Sequence, residues 1–119
     1  MKYMIMMFGD AGTMMEEKSK EWITEMIQFM TDLDKELAAN GEFVFGEGLA
    51  DSVQAKTMTM VDGTPVVTDG PFAESKESLI GFWVVDVADE QRVLEIAGRI
   101  VAYSGKLEIR PIPGGPPEL

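Results

Sequence analysis

Three carboxylates and a lysine fall close together past the middle of the chain. Asp69, Glu74 and Glu77, with Lys76 between the two glutamates, lie in the segment VVTDGPFAESKESLIGF, residues 66–82. Carboxylates held near one another can divide acid and base roles when burial raises one pKa above the other. That division matters here, because the chain has no histidine and no cysteine. The commonest general base near neutral pH is therefore missing, and so are thiol nucleophiles, disulfides and zinc–thiolate sites. Proton transfer would fall to a carboxylate pair or to a lysine. Asp69 is the candidate catalytic residue on this reading. Phe72, Glu74, Lys76, Trp83 and Arg110 are the candidate ligand-binding residues. Arg110, with Trp83 and Tyr3, would offer a cation and aromatic walls to a small anionic or planar molecule.

The same residues can also build a connection. An aspartate at a strand end accepts hydrogen bonds from backbone N–H groups two or three residues on. Gly70 adapts at little cost to its place before a proline. Pro71 can start a single helical turn, and Phe72 can plug a gap between sheet and helix. A third use, a Mg²⁺ or Ca²⁺ site made of carboxylates alone, lacks the Asp-x-Asp-x-Asp-Gly loop that would mark it. No metal and no cofactor is expected. The segment GDAG lacks the spacing and lysine of a phosphate loop. Ser75, Ser78 and Ser104 have neither a histidine partner nor a Gly-x-Ser-x-Gly frame.

The elements that must position these residues follow from apolar periodicity. The run YMIMMF (3–8) reads as a buried strand closed by Gly9-Asp10. Thr13 and Glu16 have the spacing of a capping box. After them Trp22, Met26, Phe29, Met30, Leu33 and Leu37 recur at helical spacing, opposite a wet face of Glu17, Lys18, Glu21, Glu25, Asp32 and Lys35. The helix should stop near Asn40-Gly41. EFVFGEGL (42–49) reads as a strand weakened by two glycines and open to a bulge. Asp62-Gly63 is a favoured two-residue hairpin turn, and Pro65 confines the returning arm to an edge. LIGFWVVDV (79–87) is the strongest strand, followed by a helix carrying Val93, Leu94, Ile96, Ala97, Ile100 and Val101, then KLEIRPI as the last strand.

This order, β-α-β, hairpin, β-α-β, implies an α+β ferredoxin-like sandwich with both helices on one face of a mainly antiparallel sheet. Residues 1–112 form one domain, and 113–119 a Pro/Gly-rich tail. Ile80, Phe82 and Val84 oppose Leu79, Trp83 and Val85, and Tyr3, Ile5 and Met7 oppose Met4, Met6 and Phe8. Both faces of the sheet are apolar, yet two helices cover only one. A second copy packing sheet against sheet is the simplest cover, so a homodimer is expected.

The 119 residues carry a net charge of −11, with ten basic residues scattered among 21 acids. Phosphate-backbone binding needs clustered Lys and Arg, so nucleic acid and anionic membranes are excluded as direct partners. The amino-terminal apolar run is too short for a signal segment or a membrane span, which argues for a cytoplasmic protein. The ten methionines fall mostly at core-facing positions and read as packing.

MKYMIMMFGD at the start, VDGTPVVTDGPFAESKE in the middle, GFWVVDV and the closing EIRPI together resemble the YCII-related family that carries the DGPF motif. The resemblance runs from Met1 to about Ile112. It implies a ferredoxin-like fold that dimerises into an α+β barrel, with no firmly assigned activity. The His–Asp site proposed in one branch of that family carries over only as Asp69. The resemblance also implies an alternative role, a non-catalytic interaction module associated with an extracytoplasmic-function sigma factor.

Overall fold

A computed structural model of the chain describes residues 1–10, 15–72 and 77–118. The expected order of elements is present. Strand β1 (Lys2–Gly9) leads to helix α1 (Lys20–Ala39) and strand β2 (Phe43–Gly48). The hairpin β3 (Lys56–Val61) and β4 (Thr64–Asp69) follows, then β5 (Ser78–Asp86), helix α2 (Glu90–Ser104) and β6 (Leu107–Ile112). Four strands pair in the order β2-β5-β1-β6, every neighbour antiparallel. The fold is α+β and ferredoxin-like. The hairpin forms a separate two-stranded sheet.

Local chemistry sets the ends of these elements. One long helix was expected to start from a capping box at Thr13, which lies outside the described residues. Residues 15–17 are helical, the helix breaks at Lys18, and α1 begins afresh after Ser19. The Ser19 hydroxyl accepts a hydrogen bond from Trp22 N at 3.1 Å, so this serine is the N-cap. Asp89 caps α2 in the same way, accepting from Arg92 N at 2.9 Å. Gly105 ends α2 with φ 80°, a left-handed stop that a side chain would resist. At the hairpin, Asp62 and Gly63 have φ of 49° and 79°, as a type I′ turn requires.

The core fills the space between the helices and one face of the sheet. Tyr3, Ile5 and Met7 of β1 and Trp83 and Val85 of β5 point into it. They meet Leu33 and Leu37 of α1 and Val93, Ile96, Ala97 and Ile100 of α2. Ile5 stands opposite Trp83 and Ile109, so the apolar sets of three strands lie in register. Charged ties close the frame. The amino-terminal ammonium donates to Asp86 Oδ1 at 3.0 Å and to Val87 O at 2.9 Å. The Arg92 guanidinium grips both oxygens of Glu42 at 2.8 and 2.9 Å, holding Glu42 below the usual glutamate range.

Among the described residues no layer covers the other face of the sheet. Met4, Met6, Phe8, Phe82 and Val84 are half-buried there, and Phe45 packs its ring 5.6 Å from that of Phe82. The molecule measures 49 × 48 × 19 Å, a thickness that fits one sheet and one helical layer. Its radius of gyration, 16.7 Å, exceeds the roughly 13–14 Å of a compact chain of this length. The hairpin contributes to that spread. Every residue of β4 is exposed, as are Met58 and Met60 of β3.

Burial ranks the two sides of α1. Leu37 is fully buried whereas Ile27 is 56% exposed. Leu37→Ala is expected to lose about 3 kcal/mol of unfolding free energy, and Ile27→Ala less than about 0.5 kcal/mol. Chemical denaturation at one fixed protein concentration measures both.

Candidate functional site

Three glycines shape the space beneath α1. Gly46 and Gly48 of β2 stand opposite Trp83 and Gly81 of β5, and Gly81 stands opposite the buried Met7 of β1. All three therefore sit on the helix-covered face, where they contribute no side chain. A Cβ on Gly46 would come within 3.1 Å of the Phe82 carbonyl oxygen and 3.3 Å of Trp83 Cδ1, so close approach demands glycine there. A Cβ on Gly48 would meet nothing nearer than Ile80 O at 3.9 Å. β2 also carries an irregularity between Phe43 and Phe45, and the β1–β5 ladder another between Met7 and Phe8. The bulge expected in β2 is thus present, and the irregular ladders flank the glycines.

What remains is a cavity of about 340 Å³ between α1 and the β2–β5 edge of the sheet. Met7, Met26, Met30, Ile80 and Trp83 make its apolar walls and Asp34 its acidic group, with Glu47 of the edge strand beside it. Trp83 is 6% exposed, and its Nε1–H donates to Asp34 Oδ1 at 3.0 Å. Asp34 is itself half-buried on α1. Burial pushes its carboxyl above the usual aspartate range, against the opposing pull of the Trp83 hydrogen bond, and the Glu47 charge adds to the rise. Size, apolar walls and few convergent polar groups are the attributes of a small-molecule site.

Of the residues expected at a site, Trp83 lines this cavity. Asp69 ends β4 on the hairpin, where its carboxylate pairs with Lys56 Nζ, both side chains being largely exposed. Beside it Gly70 N donates to Ala55 O at 2.7 Å, and the Thr57 hydroxyl to Gly70 O at 2.7 Å. These bonds close the base of the hairpin. Phe72 is 64% exposed. Arg110 stands opposite Met4 on the uncovered face of the sheet, whereas Tyr3 and Trp83 point into the core on the other face. The sheet therefore separates Arg110 from the two aromatics. Glu77 pairs with Lys106, apart from the Asp69–Lys56 pair. Glu74 and Lys76 lie outside the described residues. Among the described residues no three carboxylates gather as metal ligands would.

Asp34 was missed in the sequence, although a signal was available. It falls four residues after Met30 and three before Leu37, on the apolar stripe of α1 rather than on its wet face. An acid in that stripe is either exposed at its margin or held in a pocket.

With fold and cavity described, the relationship to known proteins can be stated. The model of the YCII-related domain matches residues 1–113. The chain belongs to the YCII-related family. An uncharacterised protein of Rhizobium meliloti (strain 1021) is 27% identical over 115 residues, covering 94% of this chain and 92% of the relative.

A half-buried acid with a raised pKa weakens the folded state wherever it is ionised. The folded form holds its proton more tightly than the unfolded chain, so stability falls as pH rises through the ordinary aspartate range. The cost is complete once pH exceeds the raised value. Asp34→Asn, which keeps an oxygen for Trp83, is expected to melt above wild type at pH 7. The difference should shrink toward zero below about pH 4, where both chains are neutral at this position. Thermal melts across pH, at one protein concentration, measure this directly.

Proposed function

We propose that this YCII-related protein is a small-molecule-binding homodimer, each protomer holding its ligand in the cavity beside Asp34 and Trp83. The observation that carries the reading is the cavity itself. Its volume of about 340 Å³ is ample for a small organic molecule, and it persists although a larger side chain at Gly48, where a Cβ would meet nothing nearer than 3.9 Å, could have filled part of it. A void costs stability, and so does an acid kept partly dry, so both features fit selection for occupancy.

The dimer reading rests on the uncovered face. Met4, Met6, Phe82 and Val84 of the central strands and Phe45 of the edge strand β2 form an apolar surface there. Packing two such sheets face to face, as in a dimeric α+β barrel, removes that surface from water. Met58, Met60 and Val67 on the hairpin are 64%, 67% and 54% exposed, and would extend the contact. In this reading Asp69, Gly70 and Phe72 serve the hairpin and the dimer contact. Arg110 lines the rim of the uncovered face rather than a ligand pocket.

Sedimentation velocity at micromolar concentration is expected to give twice the chain mass of 13.1 kDa. Met6→Asp should yield folded monomer, and a monomeric wild type would end the dimer proposal. For the cavity, ligand-observed NMR with a fragment mixture is expected to give binders that Gly48→Leu abolishes. That leucine grows from an open Cβ position into the void. Fragments that bind both chains equally, or neither, would contradict the proposed site.

A further inference from the structure

We propose that the ligand is cationic, an amine carried on a compact apolar or aromatic body; this rests on the ligand-binding reading above. Asp34 from α1 is the titratable side chain on the helix-covered side of the cavity, Glu47 of the edge strand adds negative charge beside it, and among the described residues no Lys or Arg lines it. Trp83 donates to Asp34 Oδ1. The carboxylate therefore keeps acceptor capacity on its second oxygen. Trp83, Met7, Met26 and Met30 supply polarisable walls rather than donors.

Each ligand class fares differently in such a space. An anion would enter beside Asp34 in a chain of net charge −11, where Trp83 N–H is the side-chain donor among the described lining residues, and that donor is already taken. A neutral alcohol could hydrogen-bond to Asp34 but would leave its charge partly dry and uncompensated. An ammonium brings up to three N–H donors and a positive charge to the same oxygen. Its charge also interacts with the face of Trp83, and its carbon skeleton displaces water from the methionines. The feature that weakens the empty protein, an acid pushed toward neutrality, becomes the feature that holds an amine.

Isothermal titration calorimetry with three matched probes tests this on the full chain: phenethylamine, phenethyl alcohol and phenylacetate. Wild type is expected to bind the amine at least about tenfold more tightly than the alcohol, and the acid not measurably. In Asp34→Asn the advantage of amine over alcohol should fall to within about twofold. Equal binding of amine and alcohol, preference for the acid, or an amine advantage that persists in Asp34→Asn would overturn the cationic inference and leave the cavity reading intact. If none of the probes binds wild type, or if binding is unaffected by Gly48→Leu, the cavity reading fails and the inference with it.

Discussion

The pairing of β1 with β5 is the constraint from which the rest of the molecule follows. These two central strands carry apolar side chains on both faces, and their register sets Ile5 against Trp83 on one face and Met6 against Phe82 on the other. The helices can satisfy only the first face. Leu33, Leu37, Val93, Ile96 and Ile100 do so with almost complete burial. The second face keeps its apolar surface, and in the dimer proposed above a partner copy would cover it. One interaction thereby fixes the core and the slab-like shape.

The candidate site arises where that pairing is interrupted. Glycines at positions 46, 48 and 81 stand where side chains would otherwise meet Met26 and Met30, and irregular ladders lie on either side. Interiors normally close such gaps, since each missing methylene forfeits contact energy. Here the gap is bordered by an ionisable group that is itself unfavourably dehydrated. Two costs at one location, in a chain whose other acidic side chains lie largely at the surface, distinguish this place from the ordinary core.

Much of the fold was legible in the sequence because it rests on short-range signals. Alternation in YMIMMF and FWVV assigned the two faces, although the irregularity after Met7 carries Ile80 round to the core against its expected side, Asp62-Gly63 fixed the hairpin, and the element order implied the α+β class. The start of α1 was less legible, because Thr13 and Ser19 both offer caps and only packing chooses between them. The site was legible in one residue, Trp83. Clustering in sequence drew attention to Asp69, Glu74 and Glu77, yet Asp69 and Glu77 pair with different lysines on different elements. Asp34 and Glu47 are thirteen residues apart on a helix and an edge strand. Only the fold brings them to one cavity. The glycines of β2 read as a weakness of the strand, and their joint effect, an absent patch of side chains, has no sequence signature until the register with β5 is known.

The central claim is that glycine-bounded space keeps the Asp34 carboxyl out of water. Carbon-13 NMR of the side-chain carboxyls, assigned through Asp34→Asn, would follow its titration in the free protein. The account predicts a midpoint displaced above the ordinary aspartate range. A midpoint within or below that range would mean a solvated or positively paired carboxylate, and the cavity as described here would not exist in solution.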